Sequence, residues 1–79
     1  MNVREKSPLE KLRIAAGLSR PKVAKELDIS ERHLYRFERG LSPLKRPYAK
    51  KLAELYEEPL AKVETAARKT MNGRERAAA

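Results

Sequence analysis

Apolar residues recur along the chain at intervals of three and four, in five short blocks. Leu9, Leu12 and Ala16 share one face. Val23, Ala24 and Leu27 share a second, and Leu34 and Phe37 a third. Tyr48, Leu52, Leu55 and Tyr56 make a fourth, and Leu60, Val63, Ala67 and Met71 a fifth. This spacing matches the turn of an α-helix. No segment combines period-two alternation with β-branched residues. The pattern therefore predicts an all-α fold of five short helices and no sheet.

Residues between the blocks sharpen the boundaries. Ser7-Pro8-Leu9-Glu10 combines a capping serine, a proline suited to the first helical position and a glutamate that completes a capping box. Gly17 supplies the left-handed residue that ends this first helix, placed at 8–16. Ser19 caps a second helix at about 19–27, where Pro21 is tolerated because first-turn amides lack a helical partner. Asp28 stands where the chain must turn, and aspartate tolerates the left-handed conformation better than most residues. Ser30 caps a third helix at about 31–39, which Gly40 ends. Leu41 to Lys45 form a loop, and a fourth helix runs over about 46–56 with Pro47 in its first turn. Pro59 opens a fifth, which continues to Met71 and stops at Asn72-Gly73. Residues 7–71 thus form one domain. Residues 1–6 are expected to be a mobile arm, whose Arg4 and Lys6 either touch phosphate or have no role. Residues 72–79 are expected to be a disordered tail.

Length and composition exclude several classes of function. Seventy-nine residues bury one modest core. With no cysteine and one histidine, His33, no disulfide framework or thiolate or histidine metal site is expected, and no cofactor. Nothing pairs a nucleophile with a base and no glycine-rich loop can cradle phosphate, so the chain does not read as an enzyme. Met1 to Lys6 lacks the apolar stretch of a signal peptide, and no apolar run approaches the roughly 20 residues of a membrane span. A cytoplasmic protein is expected, nucleoid-associated in a bacterial host.

Charge points toward a partner. Lys and Arg number 19 against 11 Asp and Glu, a net +8. Between Ser19 and Lys51 stand ten basic and four acidic residues, so most of the surplus lies mid-chain. A basic surface suits a polyanion such as DNA, RNA or an anionic membrane. On the third helix, Arg32, Arg36 and Arg39 lie within about 60° of one another, opposite Leu34 and Phe37.

Two helices joined by a tight turn, the second bearing an arginine stripe, form a DNA-reading arrangement. The stretch from Leu18 to Gly40 resembles the Cro/repressor-type, lambda-repressor-like helix-turn-helix family. The resemblance runs without gaps from about Leu12 to Tyr56. Its fixed points are Gly17-Leu18-Ser19, Val23-Ala24, Leu27, Ile29-Ser30, Leu34, Phe37-Glu38 and Gly40, with a basic residue, Arg13, before Gly17. Three positions depart from the family pattern. Arg20 stands where glutamine is usual, Asp28 where the turn usually has glycine, and Pro21 at a usually polar position.

The resemblance places the N-terminal half of the third helix in the major groove. Arg32 and Arg36 then become base readers, since arginine can donate two parallel hydrogen bonds to guanine O6 and N7. Glu31 can accept from cytosine N4, or equally favour the helix N-terminus as a local anion. Ser30 has the same two readings: a cap alone, or a cap that is also a neighbour of base or phosphate. His33 lies between core and groove faces, with half-buried packing favoured. Tyr35 borders the groove, within reach of phosphate. Arg20 and Lys22 at the start of the second helix, and Arg39, Lys45 and Arg46 after the third, are expected to touch or support contacts to the backbone. The family also implies a partly buried ion pair between Arg13 and Glu38, which removes Arg13 from the DNA contacts. In the family the fifth helix often closes the domain and forms a twofold interface, so the stripe Leu60, Val63, Ala67 and Met71 is either core only or, as favoured, a homodimer interface.

The leading expectation is a sequence-specific regulator binding double-stranded DNA, a small repressor of phage, plasmid or mobile-element type. The alternative is an antitoxin-like interaction module that uses the helix-turn-helix as scaffold. Charge-only binding to nucleic acid or anionic membrane is a third reading, disfavoured by the grouping of arginines on one helix.

Overall fold

Three serines start three of the helices. Ser7 Oγ accepts from the Glu10 amide (3.0 Å), Ser19 Oγ from Lys22 (3.3 Å) and Ser30 Oγ from His33 (3.0 Å). Each satisfies a first-turn N–H that has no helical partner. The computed structural model describes residues 6–78, with side chains as far as Asn72. Its helices are α1 (Pro8–Ala15), α2 (Arg20–Leu27), α3 (Glu31–Glu38), α4 (Arg46–Tyr56) and α5 (Leu60–Ala78), with no strand among the described residues. After each of the first four helices comes a left-handed residue: Gly17 (φ 74°), Asp28 (φ 60°), Gly40 (φ 72°) and Glu57 (φ 55°). Asp28 thus does the work of the glycine more usual at the turn. The expected arm lies outside the described residues except for Lys6, which is exposed.

The core lies where all five helices meet. Val23 of α2, Leu34 of α3, Leu52 of α4 and Val63 of α5 are fully buried, and Leu9 of α1 nearly so. α2 packs on α3 and α4, while α1 and α5 pack on each other. Thr70, in a polar stretch of α5, is buried as well. Its Oγ1 accepts from the Leu9 amide (3.2 Å) and donates to the Ala66 carbonyl (2.8 Å). The side chain of α5 thereby satisfies an orphan amide in the first turn of α1.

Two expectations about α5 are corrected. The helix does not stop at Asn72-Gly73, and residues 72–78 are not an irregular tail: α5 continues to Ala78. Glycine inside a helix costs only about 1 kcal/mol relative to alanine, and the Arg, Glu and Ala that follow are good helix formers. The apolar stripe is also only partly free, with Leu60, Ala67 and Met71 half-buried. Val63 is fully buried, and Leu60 and Ala67 pack against the core. Val63 therefore cannot belong to a homodimer interface, because it holds α5 against its own domain.

Tyr56 contains one mismatch. Its ring is in the core, yet its hydroxyl has no hydrogen-bond partner among the described residues. Burial raises its pKa far above the ordinary 10.0, the Glu38 charge raises it further, and Arg13 opposes this. An unsatisfied buried hydroxyl costs about 1–3 kcal/mol. Tyr56→Phe is therefore expected to raise the unfolding free energy by about 1 kcal/mol in urea titrations. A further effect appears in alkali. The unfolded tyrosine ionises above pH 10.0 while the folded one stays neutral, so stability falls as pH rises past that value. The phenylalanine variant lacks this part of the loss.

Candidate nucleic-acid interface

α3 is anchored from behind. Leu34, Phe37 and Glu38 are buried, whereas Glu31, Arg32 and Arg36 are exposed on the opposite side. Arg32 has no ion-pair or hydrogen-bond partner among the described residues. Arg36 donates from Nε to Ser42 Oγ (3.1 Å). Ser30 is exposed at the entrance of the helix, Lys22 is exposed on α2, and Lys45 and Arg46 are exposed in the chain that follows α3. Arg46 Nε lies 3.6 Å from Glu64 on α5, both solvated, so the pair is weak. α3 thus exposes Arg32 and Arg36, and exposed cations precede and follow it in the chain.

The helix-turn-helix is fastened by a charge cluster shared by α1, α2 and α3. Glu38, only 1 % exposed, accepts from Arg13 Nε at 2.6 Å and from Arg20 Nε at 3.1 Å. Arg13 also donates from Nη1 to the Leu18 carbonyl (2.9 Å). The Arg13–Glu38 pair implied by the family resemblance is present. The second arginine on Glu38 is not a feature the sequence made visible. Arg20 also sits 5.3 Å above the Tyr35 ring, so one guanidinium holds α2 to both a buried carboxylate and an aromatic ring of α3.

Glu10 completes the cluster. Its carboxylate lies 3.7 Å from Arg13, 3.7 Å from Arg20 and 3.8 Å from Arg39. Its side chain therefore turns toward three arginines rather than back to Ser7 as a capping box would have it. Arg20 and Arg39 each have an intramolecular carboxylate partner, in contrast to Arg32.

His33 packs at the edge of the core. Its ring centroid is 4.7 Å from Phe37 and 5.9 Å from Tyr48, the second contact edge-on. Together with Ser42, Pro43 and Lys45, these rings line a cleft of about 310 Å³ beside α3. Half-buried packing, the favoured expectation for His33, is what its surroundings provide. Tyr35 is half-buried under Arg20. Ser42 was not singled out from the sequence, and a serine before a proline in a loop carries no signal that would have identified it.

No helix among the described residues is long and apolar enough to cross a membrane. A family model described as a helix-turn-helix domain matches residues 8–67 of the chain. No curated protein and no solved structure gives a significant match.

Proposed function

Because the chain belongs to the helix-turn-helix domain family, we propose that it is a sequence-specific transcriptional regulator of double-stranded DNA, with α3 in the major groove, repressing by covering its site. The observation that carries this reading is the two-sidedness of α3. Its buried Leu34, Phe37 and Glu38 fix its orientation, while Glu31, Arg32 and Arg36 face outward. Side chains that read base edges must project from a rigid element and remain available to donate. Lys22, Lys45 and Arg46, exposed before and after α3 in the chain, would supply the phosphate contacts that flank it.

Selection from a random duplex library, with salt varied and competitor DNA present, tests the proposal. An enriched site with guanines is expected. Arg32→Ala and Arg36→Ala should each lose about 1–3 kcal/mol of preference for one guanine. Lys45→Ala should weaken binding to all sequences alike and reduce the salt slope by about 1. Twofold symmetry in the enriched site, with half-sites about 34 Å apart, would report two protomers acting together. Binding to every duplex with equal affinity would remove sequence-specific regulation as the function.

A further inference from the structure

Arg36 is held by more than its helix. The chain leaves α3 through the left-handed Gly40, whose amide donates to the Phe37 carbonyl (3.2 Å), while the Leu41 amide donates to the Arg36 carbonyl (2.8 Å). This reversal carries the loop back along the last turn of the helix. Ser42 then lies beside Arg36 and its Oγ accepts from Nε at 3.1 Å. Pro43 restricts the preceding Ser42 to extended backbone. Gly40 itself is seated against the backbone of Thr70 and Met71, which fixes the root of the loop.

A guanidinium has five N–H donors, and guanine recognition needs two of them in parallel. With the Nε hydrogen given to Ser42, the parallel pair that remains is Nη1 with Nη2. We infer that Ser42 is a positioning residue for base reading: it holds Arg36 in an end-on pose and narrows the rotamers the side chain loses on binding. This inference rests on the function proposed above. It also separates the two arginines. Arg32 lacks such a partner among the described residues and can present either pair of donors, so Arg36 is the more stringent reader of the two.

The test compares the parent, Ser42→Ala, Ser42→Thr, Arg36→Ala and the Arg36→Ala/Ser42→Ala double variant. Affinity is measured on the selected duplex, on the same duplex with the Arg36-dependent guanine replaced, and on unrelated DNA. Thermal melting is followed alongside. Ser42→Ala is expected to weaken binding to the selected duplex about two- to tenfold, the range for ordering one long side chain. Its melting and its affinity for unrelated DNA should match the parent, and Ser42→Thr, which keeps the hydroxyl, should restore discrimination. In the Arg36→Ala background the serine change should have no further effect. Full discrimination by Ser42→Ala overturns the inference. So does an equal loss on all duplexes, or an undiminished loss without Arg36. If the parent fails to discriminate, or Arg36→Ala leaves discrimination intact, the base-reading role itself falls and Ser42's role falls with it.

Discussion

Glu38→Ala is expected to cost about 3–5 kcal/mol of folding free energy and to abolish DNA binding by unfolding the domain. Glu38 is nearly inaccessible and accepts from two arginines on two other helices. Without it, buried Arg13 retains the Leu18 carbonyl and a carboxylate 3.7 Å away, too little to compensate a desolvated guanidinium. Domains of this length have stabilities near the bottom of the usual range of about 5–15 kcal/mol, so the loss is most of what is available. Circular dichroism melts beside affinity measurements decide the matter. Arg32→Ala should lose affinity with an unchanged melt, and Glu38→Ala should lose both. Arg13→Met with Glu38→Leu should recover much of the stability, because replacing a buried pair by apolar residues is often neutral. A Glu38→Ala protein that melts like the parent but fails to bind would place Glu38 at the interface instead.

The second large effect is at Gly40. Both Gly40 and Gly17 are left-handed, at φ 72° and 74°. A Cβ at Gly17 would meet nothing within 4 Å, so Gly17→Ala incurs only the conformational cost of about 1–2 kcal/mol. A Cβ at Gly40 would stand 2.8 Å from the Thr70 carbonyl oxygen and 3.3 Å from the Met71 Cα. These are backbone atoms, and they cannot give way unless α5 moves off the end of α3. Gly40→Ala should therefore be the worse of the two by about 1–3 kcal/mol, the usual cost of overpacking. The same displacement would disturb the Thr70 bond to Leu9. Paired urea titrations of the two variants isolate the steric part, and equal losses would mean that α5 yields easily.

The starts and stops of the first four helices were legible because most are written in local chemistry: a serine before the first turn of α1, α2 and α3, a proline within that of α1, α2 and α4, and a left-handed residue after the last. Glu57 is the exception among the stops, since glutamate does not announce a left-handed turn. The end of α5 was not legible, because Asn-Gly weakens a helix without forbidding it. The burial of Thr70 was hidden for another reason. A threonine among Arg, Lys and Met looks solvated until a partner amide from residue 9 is brought beside it by the fold. Exposure of Glu31, Arg32 and Arg36 followed directly from helical periodicity. The partners of Arg20 and Arg39 did not, because Glu10 lies on a different helix and its position in the sequence suggests a cap.

The Leu9–Thr70 bond joins residues 61 apart in the chain. During synthesis α2 and α3 are made well before the residue that completes the core, so the helix-turn-helix exists as sequence before it can exist as structure. Val63, Ala66 and Thr70 are all late arrivals. Until they are made, the core that holds Leu9, Leu34 and Leu52 lacks one wall, and apolar surface exposed in this way is what chaperones and proteases act on. A free fragment that ends after Tyr56, before α5, should therefore be protease-sensitive, with no protected four-helix core.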